Sequence, residues 1–431
     1  MKPGSKKIYF LGEDNNFLVR FTNGCFGSKW AGLWDLDNKF LDYWAYKING
    51  KWLSPKNICN FSHDGFKSEH AYSLDNLKVK ETLSLKENQI LSLLTIKNEG
   101  IDPNIKIELE PGINIRNRTE NKHKHTYIIK KKKDYILIKH KKDFVTIYSK
   151  NIKFLKDIKY SKHFPGEYAN SHGFNWEENL QSKFTPGKIK INIKVKKGKT
   201  AQIPLYFLMN KTRPLFEYKK QLKVKKNEFK KLKSQYESED LNRTLNKSVA
   251  SLYNHNFLAG MPYFNEIWTR DICWSLPSFL YLGFFDKCKK ILKKLAQYQK
   301  NGKIPNRINS FEATYDGADS TPLWIISLDY YLNFTKDHDF KKQIKPYLKK
   351  ALQFGLDSLD NGLIKHKKTG TWMDTLKRGN KAIDIQSLWE EAFRRGEKIL
   401  NRKYPKISIM KYWSDNFFLD SLEPRIKTRT A

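Results

Sequence analysis

A tryptophan and a carboxylate stand two residues apart in the segment Gly370-Thr-Trp-Met-Asp374. An indole face can stack on a sugar ring, and apolar bulk beside a carboxyl group raises its pKa, so that it can deliver a proton. The pattern therefore favours Asp374 as a general acid in glycoside chemistry, with Trp372 beside the sugar. A buried tryptophan with Asp374 as a loop or capping residue would look the same, and the segment alone leaves both interpretations open.

A second group of polar residues follows Trp268, where Arg270 and Asp271 stand side by side before an apolar stretch. Arginine offers several N–H donors and aspartate two acceptor oxygens, so an adjacent pair can hold neighbouring hydroxyl groups of a sugar. The alternative is that Asp271 caps a helix and Arg270 pairs locally.

A third candidate is Asp319, in the segment Asp-Gly-Ala-Asp-Ser-Thr-Pro-Leu-Trp that ends at Trp324. Its carboxylate could contact a ligand. The following Ser320 and Pro322 also fit the first turn of a helix, in which Asp319 or Ser320 would be the N-cap.

The fourth loop brings Lys381, Asp384 and Gln386 to a predicted helix start. These side chains are candidates for substrate binding. Glu390 and Glu391 lie further along the same segment and are more typical of solvated helix residues than of catalysts.

Two kinds of element must position these loops. Up to about residue 215 the chain alternates apolar and polar residues in short runs, such as 127–130, 135–139, 144–148 and 188–196, which predicts strands. Asn49-Gly50 between two such runs predicts a hairpin turn. Many short strands without helices between them favour an antiparallel sandwich.

From about residue 216 the apolar spacing becomes helical. We predict a β-sandwich domain over 1–215, a linker helix over 216–239 and a helical domain over 240–431. The predicted helices of the last domain are 240–257, 269–283, 286–300, 318–335, 338–358, 384–401 and 405–421.

The chain has 431 residues, with 81 Lys+Arg against 45 Asp+Glu, a formal net charge of +36. An aromatic content of 14% excludes a wholly disordered basic protein. Such a charge is typical of nucleic-acid binding, but the lysines are spread along the chain and no recognition motif accompanies them. The densest run, Lys130–Lys133, fits the tip of a hairpin. We interpret the charge as compositional surface bias.

The remaining features bound the class of protein. Cys25, Cys59, Cys273 and Cys288 form no CxxC pair, which predicts a reduced, cytoplasmic chain. The N-terminal segment has no apolar h-region, so we expect no signal peptide. Metal-ligand spacings and nucleotide-binding or serine-hydrolase motifs are missing, so the sequence predicts no metal or cofactor.

Taken in order, the loops resemble a known family. The region between about residues 256 and 395 is similar to the glucosidase domain of glycogen debranching enzymes, the amylo-α-1,6-glucosidase family. The segments that carry the similarity are, in order, AGMPYFNEIWTRD, IPN, DGADSTPLW, TWMD and GNKAIDIQSLW. The segment Ala31–Trp44, with Ile48-Asn-Gly50 after it, is similar to the opening hairpins of that group. The resemblance implies a multidomain β + all-α architecture: an antiparallel β-sandwich followed by an (α/α)6 toroid.

The resemblance also implies roles for the candidates. Asp374 would be the general acid, Arg270 and Asp271 would hold the terminal glucose, and Trp268 and Trp372 would line its subsite. Asp319 would help to shape the same pocket, and the candidates of the fourth loop would also contact substrate. Thr269 and Asp384 replace a glycine and a glutamate of the family pattern. These two differences would affect how the substrate fits more than which class of reaction is catalysed.

An inverting glycosidase needs a second carboxylate to activate water. In the family this base comes late in the barrel, and the seven helices predicted over 240–431 are too few for a twelve-helix toroid. We therefore expect an incomplete toroid, as from a split gene, with a second polypeptide that supplies the base.

The sequence thus predicts a glycoside hydrolase chain that removes α-1,6-linked glucose from glycogen or a branched dextrin. A non-catalytic glucan-binding remnant of such an enzyme and a glucoamylase-like α-1,4-glucosidase remain as alternatives, as does a nucleic-acid-binding protein that its charge would favour.

Overall fold

The computed structural model describes most of the chain and divides it into two compact units, residues 1–256 and 257–431. No helix in the described part of the chain is long and apolar enough to cross a membrane. The described residues are 7–13, 15–26, 30–36, 38–117, 120, 126–150, 153–155, 187–231, 237–254, 257–260, 264, 266–309, 312–373, 375–422 and 425–426.

The described residues of the first unit form sixteen strands. In chain order they are β1 (Ile8–Glu13), β2 (Asn16–Phe21), β3 (Gly32–Asp35), β4 (Asn38–Ile48), β5 (Lys51–Trp52), β6 (Ile58–His63), β7 (Lys67–Leu74), β8 (Leu77–Lys86), β9 (Gln89–Asn98), β10 (Asn104–Asn117), β11 (Ile128–Lys131), β12 (Tyr135–His140), β13 (Asp143–Tyr148), β14 (Lys153–Leu155), β15 (Lys188–Lys194) and β16 (Thr200–Met209).

These strands form two antiparallel eight-stranded sheets. The first has the order β1-β2-β3-β4-β10-β15-β14, with β5 paired to β4, and the second the order β11-β12-β13-β16-β9-β8-β7-β6. Apolar residues from both sheets share one buried core, since every second side chain of a strand points to the same face. The architecture is a β-sandwich, as the alternating runs predict.

A charged pair lies in the core between the two sheets. Arg20 of β2 donates to Glu81 of β8 at 2.8 Å, and both side chains are buried. The second oxygen of Glu81 accepts from Trp44 of β4 at 2.9 Å and from Ser92 of β9 at 2.8 Å. Every buried acceptor of Glu81 is thus paired, as a carboxylate in a core requires.

Two helices follow the sheets within the first unit. Helix α1 (Tyr218–Lys231) packs on β8, and α2 (Glu239–Asn254) packs on β1. Gln221 of α1 is buried and exchanges hydrogen bonds with Gln89 and with the Ser84 carbonyl oxygen, which fixes the helix on the sheet.

The second unit is helical. Helix α5 packs between α3 and α7, while α4 and α6 contact α5 and each other. Asp337 caps the longest of these helices by accepting from the Phe340 N–H at 2.9 Å. The bounds are α3 (Thr269–Tyr281), α4 (Phe285–Gln297), α5 (Ser320–Thr335), α6 (His338–Asp357) and α7 (Ile383–Leu400).

Short strands join the helices. They are β17 (Ile267–Trp268), β18 (Arg307–Ile308) and β19 (Ala313–Thr314) in one sheet, and the pairs β20 (Leu359–Asp360) with β21 (Leu363–Ile364), β22 (Trp413–Ser414) with β23 (Phe417–Phe418), and β24 (Ser421–Leu422) with β25 (Arg425–Ile426).

The predicted strand runs and the Asn49-Gly50 hairpin are confirmed, and both turn residues have positive φ. The predicted helices up to residue 401 are confirmed within a few residues of their bounds. The predicted helix over 405–421 is wrong. Its residues form a single 3-10 turn, Ile409–Tyr412, and short hairpins. Asp415 has a φ of 52°, which turns the aromatic run back on itself and prevents a helix.

Candidate active site

The start of α3 is fixed by Thr269. Its N–H donates to the Asn306 carbonyl oxygen at 3.0 Å, and its hydroxyl donates to the Pro305 carbonyl oxygen at 2.5 Å. The side chain is buried. Thr269 therefore holds the first turn of α3, which carries Arg270 and Asp271, against the Ile-Pro-Asn loop.

Arg270 joins two segments that are far apart in the chain. Its Nε donates to Oδ2 of Asp319, and its Nη2 donates to the Thr371 carbonyl oxygen at 3.3 Å. Loops separated by 49 and 101 residues from Arg270 thus meet at one guanidinium group.

Asp319 occupies the position before α5, but its side chain does not cap that helix. Only 3% of its surface is exposed, and within the described structure its Oδ1 has no hydrogen-bond partner. The hydroxyl of the buried Ser320 is also without a partner there. A side chain at residue 317 would come within 3.1 Å of Asp319 Oδ1 and 3.0 Å of Ser320 Oγ, so Gly317 leaves space beside both atoms.

The loop that contains Trp372 is anchored to the same region. The Ala318 N–H donates to the Gly370 carbonyl oxygen at 2.7 Å, and Lys367 pairs with Asp316 at 2.6 Å. Trp372 is 55% exposed. Its indole is therefore open to a ligand, next to the Thr371 carbonyl that Arg270 holds. Asp374, the predicted general acid, lies outside the described residues.

The Trp268 side chain is half-buried and precedes the arginine. Its ring packs edge-on against Phe264 at 6.3 Å, and the Arg307 guanidinium lies 5.8 Å from its centre. Its Nε1 is buried and, among the described residues, has no acceptor.

Asp271 follows in the first turn of α3, where the helix dipole favours an anion. Desolvation of its carboxyl group raises its pKa above the ordinary value, Arg270 opposes that rise, and the charge of Asp319 adds to it. Asp271 thus shares the electrostatic environment of the arginine and of the buried carboxylate.

A second group of polar contacts is centred on Arg378, which is buried. Its guanidinium donates to Asp420 at 3.0 Å and to Asp384 Oδ2 at 3.1 Å. Its backbone N–H donates to the Lys368 carbonyl oxygen at 3.0 Å, so Arg378 holds the returning end of the Trp372 loop. Asp384 is used in this contact.

Lys381 and Gln386 are buried at the start of α7 and have partners. Lys381 pairs with Asp360 at 2.9 Å. Gln386 accepts from the Ile364 N–H at 2.7 Å and donates to the Ile364 carbonyl oxygen at 2.8 Å, so its amide completes the edge of β21. The structure thus brings Arg270, Asp319 and Thr371 together directly, whereas the three candidates of the fourth loop make contacts of their own.

Residues 219–418 match the family model described as amylo-alpha-1,6-glucosidase. The match spans 200 of the 431 residues, so the similarity to this family is shown for that segment. The predicted resemblance is confirmed over these residues, which include all the candidate site residues, and we call the segment the glucosidase domain after the matched family.

One solved structure shares the fold, and a second is less similar. A human-microbiome protein named as a kojibiose phosphorylase is 12% identical, with a TM-score of 0.61, over 95% of this chain and 65% of that one. A bacterial glucoamylase in complex with acarbose is 11% identical, with a TM-score of 0.46, over 93% of this chain and 66% of that one. The chain therefore spans less than two thirds of either structure. No curated protein matches the sequence.

Arg378 and Asp420 of this region were not predicted from the sequence. Arg378 and Asp420 are 42 residues apart, so no local spacing indicates their contact. Glu390 and Glu391 have structural partners: Glu390 accepts from the Ile407 N–H, and Glu391 pairs with Arg394 and Arg395. Among the described residues, no cluster of His, Cys, Asp and Glu could hold a metal ion.

Proposed function

We propose that the glucosidase domain hydrolyses a terminal α-1,6-linked glucose of a branched glucan with inversion at the anomeric carbon. The family match over 219–418 carries the proposal, because it includes every loop that holds a candidate residue. The contacts of Arg270 with Asp319 and with the Thr371 carbonyl oxygen, which join two of these loops, support it. The substrate would be glycogen or a branched dextrin.

The arrangement around Arg270 suits the terminal sugar. Asp319 Oδ1, Ser320 Oγ and Trp268 Nε1 are buried polar atoms without partners in the described structure, and such atoms are costly unless a ligand or water pairs with them. Sugar hydroxyl groups both donate and accept, so they could satisfy all three atoms. The exposed face of Trp372 would stack on the ring.

In this mechanism Asp374 protonates the glycosidic oxygen while a second carboxylate removes a proton from the attacking water. The two carboxyl groups of an inverting enzyme stand about 6.5–9.5 Å apart to leave room for that water. We propose that the base lies on a second polypeptide that completes the toroid. The four free cysteines support a reduced, cytoplasmic location for the complex.

The test measures glucose release from a dextrin with α-1,6 glucose stubs and from linear maltooligosaccharides by the chain mixed with the remaining helices of a longer family member. NMR would follow the anomer released first, which is β-glucose for an inverting enzyme acting on an α-linkage. Asp374→Asn should lower the rate by about 10²- to 10⁴-fold. Asp339→Asn, on the exposed first turn of α6, is the matched control and should not change it.

Two results would contradict the proposal. Retained hydrolysis in Asp374→Asn would remove that residue from the acid role. Glucan binding without hydrolysis by the chain, alone or with the remaining helices of a longer family member, would instead favour a non-catalytic binding protein. Release of glucose only from the linear maltooligosaccharides would show that the domain cleaves α-1,4 linkages and not α-1,6 linkages.

A further inference from the structure

A group of large aromatic side chains is exposed on the second unit. Trp274 and Tyr281 of α3 are 66% and 79% exposed, and Phe285, Tyr330 and Phe334 are each about 40% exposed. We call these five residues the aromatic face. Isolated exposed aromatics are common, but a contiguous apolar patch marks an interaction site.

The five side chains form one patch. Trp274 and Tyr281 are seven residues apart, which places them on the same side of α3, and Tyr330 and Phe334 are four apart on α5. Tyr281 packs edge-on against Phe334 with ring centres 5.0 Å apart, and Phe285 lies 6.4 Å from Phe334. The patch therefore bridges α3, α4 and α5.

Four of the five residues of the aromatic face stand on helices that contain no lysine. Helices α3 and α5 contain no lysine, although the chain has a net charge of +36. Helix α5 is apolar around most of its circumference, and such a helix is normally buried on all sides. The neighbouring helices α4 and α6 carry five lysines each, at Lys287, Lys289, Lys290, Lys293, Lys294, Lys341, Lys342, Lys345, Lys349 and Lys350.

One border of the patch is polar. The Arg395 guanidinium lies 4.2 Å from the ring centre of Tyr330 and pairs with Asp329 and Glu391. An apolar centre beside a rim of paired charges is the composition of a protein–protein interface.

From these observations we infer that the aromatic face docks a helical polypeptide that completes the glucosidase domain. The inference rests on the proposed function and identifies the surface to which its second polypeptide binds. The kojibiose phosphorylase fold matches 95% of this chain but only 65% of its own length, so the rest of that fold has no counterpart in the match. A helical partner with an apolar side would bury the patch.

The other possible occupants fit the charge less well. A second copy would bring two chains of +36 together. A membrane surface is normally contacted by a helix with lysine or arginine around its own apolar side, whereas four of the five aromatic residues stand on helices without lysine.

The test uses as its probe the helices that follow the equivalent of residue 418 in a longer member of the family, expressed as a separate polypeptide. Size-exclusion chromatography with light scattering should show a one-to-one complex with the 431-residue chain. Tyr281→Lys and Phe334→Lys should each weaken the complex by about 30-fold or more, as for central interface aromatics. Both side chains are exposed, so the circular dichroism of the free chain should not change.

Tyr298→Lys is the matched control, because Tyr298 is 42% exposed but lies at the end of α4, away from the aromatic face. Equal weakening by all three variants, or no complex with the wild-type chain, would overturn the inference. So would a homodimer, or binding to vesicles of anionic lipid, that the two face variants abolish.

Complex formation is measured without hydrolysis, so the two proposals can fail separately. A complex that the face variants break but that releases no glucose would leave the docking face in place and reject the glucosidase activity. Full hydrolysis by the chain alone would reject the docking partner and leave the activity.

Discussion

Removal of the Arg270 side chain should destabilise the second unit, because it leaves Asp319 as a buried carboxylate without a counter-charge. The Asp319 side chain is 4% exposed and its Oδ1 already has no hydrogen bond within the described residues. Breaking one side of a buried ion pair costs about 3–5 kcal/mol. Arg270 is 29% exposed, so water compensates in part, and we expect Arg270→Met to lower the free energy of unfolding by about 2–4 kcal/mol.

A substitution of Asp319 tests whether the unpaired carboxylate causes the loss of stability in Arg270→Met. Asp319→Asn in the Arg270→Met background removes the unpaired charge and should restore most of the stability, to within about 1 kcal/mol of the wild-type value. Asp319→Asn alone should cost about 1–2 kcal/mol. The four proteins form a double-mutant cycle, which isolates the coupling between the two side chains.

Urea unfolding followed by tryptophan fluorescence measures the cycle. Arg394→Met is the matched control, because Arg394 pairs with Glu391 but is 49% exposed, and exposed pairs contribute about 0–1 kcal/mol. Additive losses in the double variant would show no coupling and would refute this account of the pair. A loss in Arg394→Met as large as in Arg270→Met would refute the argument from burial.

Two further predictions concern the start of α7. Gln386→Ala should lower the free energy of unfolding by about 2–4 kcal/mol, since it leaves the buried N–H and carbonyl of Ile364 unpaired; Ser387→Ala is the exposed control in the same urea titration, and equal effects would contradict the reasoning. Burial lowers the pKa of His366 below its ordinary 6.5, so the unfolded chain takes up its proton first and stability should fall as the pH drops below about 6.5. Urea unfolding across pH 5–8 should show this fall reduced in His366→Gln but not in His338→Gln, and an unchanged pH dependence in His366→Gln would rule out His366 as the cause.

Local patterns predicted most of the elements, because each depends on neighbouring residues. The Asn49-Gly50 turn requires positive φ at both positions, which these residue types adopt readily. The prediction of a helix over 405–421 was wrong because Asp415 is also a turn residue. The apolar spacing around Asp415 was given more weight than its preference for positive φ.

The candidate site was predicted in part. Its loops were found from residue types and from the family resemblance, but the partners of each side chain depend on packing between distant segments. Arg270 and Asp319 are 49 residues apart, and nothing in their spacing indicates the contact. Gln386 was predicted to bind substrate, and the structure shows its amide on Ile364, 22 residues away in a hairpin that the sequence did not reveal.

The buried pair of Arg20 and Glu81 has a consequence for how the sandwich is specified. Apolar side chains can slide past one another with little penalty, whereas a charge in the core has only one acceptable partner position. A shift of β2 by one residue would turn Arg20 to the opposite face and leave Glu81 without its counter-charge. Since Trp44 and Ser92 bind the same carboxylate, four strands from both sheets share this single reference point. This polar contact therefore couples the registers of the two sheets, because a one-residue slip of any of these strands would break it.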